Sequence, residues 1–293
     1  MKMQIAFHLG VHATDGDRLL KALLNNRATL LDAGTEIVPP NRYRSLFDDA
    51  LLALNGAPAT VEMEQILMDA VLEHDHSRRA VLSNAGFMGA PGRVVGRGML
   101  YPQMAERVAA LVNLFPRAES EFFLAMRNPA LLLSDVRPLV AGGDYAALMQ
   151  GTDPRAMRWS DCITRLLSVL GGRRLVIWCH EDVPLIWPEI MRLAGDIDPD
   201  RPLAGALVYM HELLGDAGLP KLRAALAGLA VDDIAGRRRI FSGMLQRHAL
   251  AGAADQAIDL PGWSQELVDE VSANYRTDIA QIAAMPGVEF ISA

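Results

Sequence analysis

The chain is poor in residues that mark several large protein classes. It has two cysteines, Cys162 and Cys179, in 293 residues. They are too few for a disulfide framework and do not form a zinc spacing, and Cys179, closing an apolar run, reads as a small core residue. Positive charge is not in excess: 28 Lys and Arg stand against 35 Asp and Glu, for a net charge of −7. That balance repels a nucleic-acid backbone and, more mildly, a heavily sulfated or phosphorylated polymer. No apolar run reaches the roughly 18 residues that span a bilayer. The opening residues enter a strand pattern without a signal-peptide layout, so a cytoplasmic location is expected, with neither nucleic acid nor membrane as partner. There is no Walker A sequence, no Gly-x-Gly-x-x-Gly after a strand and no Gly-x-Ser-x-Gly elbow.

What is present is ordinary for a folded protein: 51% hydrophobic and 22% charged residues, in a chain long enough for one large domain over 1–293. Near-continuous apolar runs at Gln4–Leu9, Arg79–Ser83, Glu121–Met126 and Arg174–Cys179 predict parallel strands covered on both faces, with Thr35–Val38 as a fifth. The intervening lengths suit crossover helices. Leu19, Leu20, Leu23, Leu24, Leu30 and Leu31 share one face of a first helix predicted to run to Gly34. Another helix is predicted at Met104–Leu114. After about residue 182 the pattern is mainly helical (Leu203–Leu214, Leu222–Leu229, Arg239–His248, Gln265–Ala284), with Val288–Ile291 a candidate last strand. The expectation is a three-layer α/β sheet core over about 1–182 with a helical extension packed on it over about 183–293. Trp159, Trp178, Trp187 and Trp263 line a pocket or fill the core, the latter being commoner.

Three constellations carry candidate chemistry. The loop Gly10-Val11-His12-Ala13-Thr14-Asp15-Gly16-Asp17 joins the first strand to the first helix, where backbone N–H groups and the helix dipole hold anions. Equally, Asp15 or Thr14 caps the helix and Asp17 sits in its first turn, placing carboxylates where an anion would bind. Arg127, before Asn128-Pro129, leaves the carboxyl end of a strand, where ligands bind in open α/β sheets. With Ser134 two helical turns on it makes a pair for a terminal phosphate, or else it is a surface ion pair. His180 and Glu181 follow another strand as an acid/base pair, unless Glu181 or Asp182 merely caps the next helix. His8 and His12 lie four apart on a strand and loop, His74-Asp75-His76 reads as solvated, and no third ligand accompanies them, so no metal is expected. Arg237-Arg238-Arg239 reads as a solvated basic face.

The stretch Phe7-His8-Leu9-Gly10-Val11-His12-Ala13-Thr14-Asp15-Gly16-Asp17-Arg18-Leu19 resembles the opening of bacterial sulfotransferases, whose pattern is approximately H-I-G-x-H-K-T-G-T-T-x-L. Asn26-Arg27, Ala33-Gly34 and Val38-Pro39 fall where that pattern has its next residues, and Arg127-Asn128-Pro129 with Ser134 resembles the family's 3′-phosphate segment. The likeness covers about the first 180 residues. It implies a three-layer parallel sheet of P-loop/sulfotransferase type. The implied co-substrate is 3′-phosphoadenosine-5′-phosphosulfate, with sulfuryl transfer to a hydroxyl or amine of an unidentified acceptor. It also implies that Gly10, His12, Thr14 and Gly16 face the 5′ end and that Arg127 and Ser134 hold the 3′-phosphate.

Two family residues are replaced. Ala13 stands where the loop lysine contacts the bridging oxygen, and Ala85 stands where some members carry a general-base glutamate. Losing one donor at a charge-developing atom costs about 3–4 kcal/mol, and losing a base costs about a hundredfold to ten-thousandfold in rate. His12 as donor and His180 or Glu181 as base are the candidate replacements. The alternative is a non-catalytic relative that keeps the fold as a ligand-binding or protein-interaction scaffold. A different transferase using the same cleft is a third reading.

Overall fold

The structure, a computed structural model, describes residues 2–253 and 255–293. Its strands are β1 (Gln4–His8), β2 (Thr35–Val38), β3 (Arg79–Ser83), β4 (Val95–Gly96), β5 (Met99–Leu100), β6 (Glu119–Met126), β7 (Leu175–Cys179) and β8 (Val288–Ile291). β4 and β5 form a small antiparallel ladder. The other six form one parallel sheet in the order β2-β3-β1-β6-β7-β8. The five predicted apolar runs are all strands, and Val288–Ile291 is the sixth, pairing with β7 at the sheet edge.

The helices are α1 (Arg18–Asn25), α2 (Arg27–Asp32), α3 (Arg44–Leu54), α4 (Val61–Val71), α5 (Met104–Leu114), α6 (Pro129–Val136), α7 (Tyr145–Met149), α8 (Trp159–Leu170), α9 (Val183–Gly195), α10 (Val208–Leu226), α11 (Ile234–His248) and α12 (Gln265–Ala283). They cover both sheet faces, which is why the strands read as continuous apolar runs. Ile5, Phe7, Phe122 and Leu124 pack with side chains of α3, α5 and α8, including Trp159. Ala6, Phe123 and Val176 pack on the opposite face against Leu19 and Leu23 of α1 and Trp187 of α9. Trp159, Trp178 and Trp187 are thus core residues, and Trp263 is half-buried, donating to the Tyr145 hydroxyl at 2.6 Å. Cys162 and Cys179 are buried and unpaired. No helix among the described residues is long and apolar enough to cross a membrane.

Three local expectations are corrected. The first predicted helix breaks at Asn26, whose amide bonds Ala22 O and both polar backbone groups of Ala204. The predicted helices at 203–214 and 222–229 are one element, α10, kinked at Gly215 with φ 65°. Arg237 and Arg238 are not a solvated face: both turn to Glu189, a buried carboxylate on α9, at 3.5 and 3.8 Å.

The strand order places the site. The chain leaves β1 toward β2 on one side of the sheet and leaves β6 toward β7 on the other. The carboxyl ends of β1 and β6 therefore flank a topological switch point, the crevice in which open α/β sheets hold ligands. Below it, Arg79 pairs with Glu121 of β6 and donates to Ala194 O of α9 at 3.0 Å, fastening three elements in the interior.

Candidate functional site

The β1–α1 loop spans residues 9–17 and lies on one side of the switch point. Its tight path needs Gly10: φ is +59°, and a Cβ there would stand 2.8 Å from Ala85 N. Ala13, Gly16 and Asp17 also take left-handed φ of 56°, 55° and 63°. Successive left-handed turns expose N–H groups on a concave side, a geometry that suits anions. The N–H groups of residues 13–17 find no acceptor among the described residues.

The capping reading also holds. The Asp15 carboxylate accepts the Leu19 N–H at 3.0 Å, so it serves the dipole end of α1. Thr14 instead donates its hydroxyl to Val11 O at 2.6 Å. Asp17 precedes the helix rather than lying in its first turn, and its side chain caps nothing.

Arg127 reaches across the switch point. Its side chain is 6% exposed. One Nη donates to Ala13 O of the loop; the other meets Asp135 at 2.6 Å and Gln256 Oε1 at 3.0 Å. Among the described residues its Nε has no partner. Asp15 and Asp17 do not pair with it among the described residues. Ser134 does not join it at the cavity; the Ser134 hydroxyl accepts the Asp259 N–H at 3.3 Å.

Thr14, Asp15, Gly16, Arg127, His180 and Glu181 line one cavity of 670 Å³, closed on the far side by Tyr209 and Glu212 of α10. Arg18 at its rim lies over the Tyr209 ring and pairs with Glu212 at 2.8 Å. His180 and Glu181 are neighbours without a mutual hydrogen bond. Glu181 does not cap α9; it accepts the Asn128 N–H at 2.7 Å and the Tyr275 hydroxyl at 3.2 Å, and Asp182 makes no side-chain cap either. Burial raises the pKa of the Glu181 carboxyl against the lowering effect of the Asn128 N–H. Burial, with Arg127 adding repulsion, lowers the His180 imidazole to about 4, so it is neutral near pH 7, and its Nδ1 is buried without a partner among the described residues.

His12 faces the other way. Its ring stacks on Tyr101 at 6.0 Å, its Nδ1 lies 3.1 Å from the Tyr101 hydroxyl, and its N–H donates to the same oxygen at 3.2 Å. Burial lowers its pKa as well. His12 and Asp17 border a second cavity of 860 Å³ on the β3 side of the loop. The loop is therefore a partition: Thr14, Asp15 and Gly16 face one hollow, His12 and Asp17 the other. The three candidate catalytic residues are divided between the two.

Away from the switch point, His74 is not solvated but packs 3.4 Å from the buried Glu36 carboxylate. Glu36, Glu73 and His74 are close enough to share an ion. Glu73, however, is engaged by Arg27 and Arg42, whose charges oppose a cation. A 510 Å³ hollow near Met3 and Leu72 lies at the amino ends of the strands, far from the loops.

Sequence reasoning missed Asp135 and Gln256 on Arg127, Tyr101 under His12, and the second cavity. Only Asp135 left a signal, as an acid on the helix that Asn128-Pro129 starts. No family model matches the chain, and no curated protein sequence matches it.

Proposed function

We propose that the protein is a group-transfer protein of the P-loop, sulfotransferase-like type. Its 670 Å³ cavity takes 3′-phosphoadenosine-5′-phosphosulfate, and its 860 Å³ cavity takes the hydroxyl or amine acceptor. The observation that carries the proposal is Arg127, a buried cation crossing the β1/β6 switch point to a loop of left-handed residues, with a cavity on each side of that loop.

The chemistry asked of the site is modest in number of parts. The acceptor's lone pair attacks sulfur, and the sulfur–oxygen bond to the 5′-phosphate breaks. The nucleotide departs with that electron pair, and the acceptor's proton goes to a base. Loop N–H groups supply charge stabilisation in place of the absent lysine, and the Asp17 carboxylate, which lines the acceptor's cavity, takes the acceptor's proton, while His180 faces the nucleotide across the loop. Without the lysine, turnover is expected to be slower than that of a lysine-bearing site by about a hundredfold to a thousandfold. Ligand binding also has to exchange Asp135 and Gln256 for phosphate oxygens at Arg127, which holds affinity to the micromolar range.

The test is calorimetric titration with 3′-phosphoadenosine-5′-phosphate, on the wild type and on Arg127→Ala checked for folding by circular dichroism. Micromolar binding lost in the variant supports the proposal; no binding at millimolar ligand overturns it. That second outcome would favour the non-catalytic scaffold. One pair of observations speaks for the scaffold: Asp15 already serves the α1 dipole, and Asp135 already neutralises Arg127.

A further inference from the structure

Residues 255–260, between α11 and α12, lie against the groups that follow the carboxyl end of β6. Gln256 Oε1 accepts from the Arg127 guanidinium at 3.0 Å and forms part of the wall of the 670 Å³ cavity. The Asp259 N–H donates to the Ser134 hydroxyl at 3.3 Å, and the Asp259 carboxylate lies 3.6 Å from the Arg137 guanidinium. Arg127 and Ser134, the pair read from the sequence as a site for a terminal phosphate, are thus both taken by one short stretch of the chain.

The stretch has the character of a stand-in for an anion. Residues 249–264 hold Asp255 and Asp259 and no Lys or Arg. A buried guanidinium left without acceptors is costly, so the empty site needs acceptors for Arg127. Asp135 supplies one from α6, and Gln256 supplies another from a distant part of the chain. The hold of this stretch is shallow. The residues Asp255, Gln256, Ala257 and Asp259 are exposed, Ile258 is half-buried, and Leu260 is the first buried one. Such thinly packed segments open at low cost. An incoming phosphate offers Arg127 charged oxygens in place of a neutral amide oxygen, and it repels Asp255 and Asp259.

We propose that residues 255–260 are an autoinhibitory strap, seated on Arg127, Ser134 and Arg137 in the empty protein and displaced when a phosphate-bearing ligand takes Arg127. The nucleotide as displacing ligand rests on the transfer reading above; displacement by a phosphate anion does not. The affinity of the whole chain is then the intrinsic affinity reduced by the fraction of molecules whose strap is open.

Ala257 is exposed, and Cys162 and Cys179 are buried, so a nitroxide attached to the full chain through Ala257→Cys reports the strap alone. Its motion is expected to be restricted in the empty protein. It should become as fast as in the urea-unfolded chain when saturating 3′-phosphoadenosine-5′-phosphate or inorganic pyrophosphate is added, with ionic strength held by KCl. Gln256→Ala changes an exposed residue outside the core and removes one tether. The fast fraction should then rise without ligand, and calorimetry should show either anion bound about three- to tenfold tighter. A label already fast in the empty protein, a label that Gln256→Ala leaves unchanged, or equal affinity in variant and parent overturns the proposal. If pyrophosphate frees the strap while the nucleotide does not bind at millimolar concentration, the strap stands and the transfer reading falls. Nucleotide bound with the label still restricted keeps that reading and overturns the strap; binding of neither anion overturns both.

Discussion

Asp15 separates two roles that the loop combines, helix cap and negative charge at an anion site. Asp15→Ala removes both. Loss of the bond to the Leu19 N–H should cost about 1 kcal/mol, or about 2 °C in melting temperature for a chain of this size. Asp15→Asn keeps a side-chain oxygen to accept that N–H and removes only the charge, so its stability should lie within a few tenths of a kcal/mol of wild type. At separations of about 5–6 Å and an effective dielectric between water and a protein surface, one carboxylate repels each unit of ligand charge by about 1–2 kcal/mol. Asp15→Asn should therefore bind 3′-phosphoadenosine-5′-phosphate about five- to thirtyfold tighter. Urea melts read the first quantity and calorimetry the second. An Asn variant as unstable as the Ala variant would refute the cap. An Asn variant that binds no tighter than wild type would refute an anion site beside Asp15.

Other perturbations test the scaffold. Arg79→Ala leaves Glu121 with Arg174 as its remaining partner and releases Ala194 O, and should cost about 1–3 kcal/mol in urea denaturation; a loss below about 0.5 kcal/mol would show that the buried pair does not fasten β3 to β6. Gly10→Ala forces a side chain into left-handed φ and against Ala85 N, at a cost of about 1–3 kcal/mol and with loss of nucleotide binding; a wild-type melt would contradict it. His180 sits at about 4 when folded against 6.5 otherwise, so the unfolded chain binds its proton first as pH falls. Its contribution is complete above pH 6.5 and is lost between 6.5 and 4, up to about 3 kcal/mol. The lowered pKa values of His8 and His12 act in the same direction. His180→Asn should flatten that part of the stability-versus-pH curve, and an unchanged slope would exclude His180 as its source.

The parts of the fold legible in the sequence are those decided locally. Parallel strands covered on both faces must be apolar at every position, so Gln4–His8 and Leu175–Cys179 stand out without their neighbours. The Asp15 cap was likewise local, four residues from its N–H. The break at Asn26 was not, because the groups it satisfies belong to Ala204, 178 residues away. Nor was the strand order, which alone brings Arg127 to the loop carbonyl of Ala13. The division of His12 from His180 follows from a partition that no spacing reveals. The second cavity draws Phe47, Phe87 and Glu106 from three separate segments.

The most direct measurement is on the loop itself: amide resonances of residues 10–17 and of Arg127, Asn128, Ala130 and Leu131 in isotope-labelled protein, followed through a titration with 3′-phosphoadenosine-5′-phosphate. Saturable shifts at Ala13 to Asp17 and at Arg127, abolished in Arg127→Ala, are predicted. Shifts elsewhere with this loop unmoved, or none at millimolar ligand, would contradict a nucleotide site at the β1/β6 switch point.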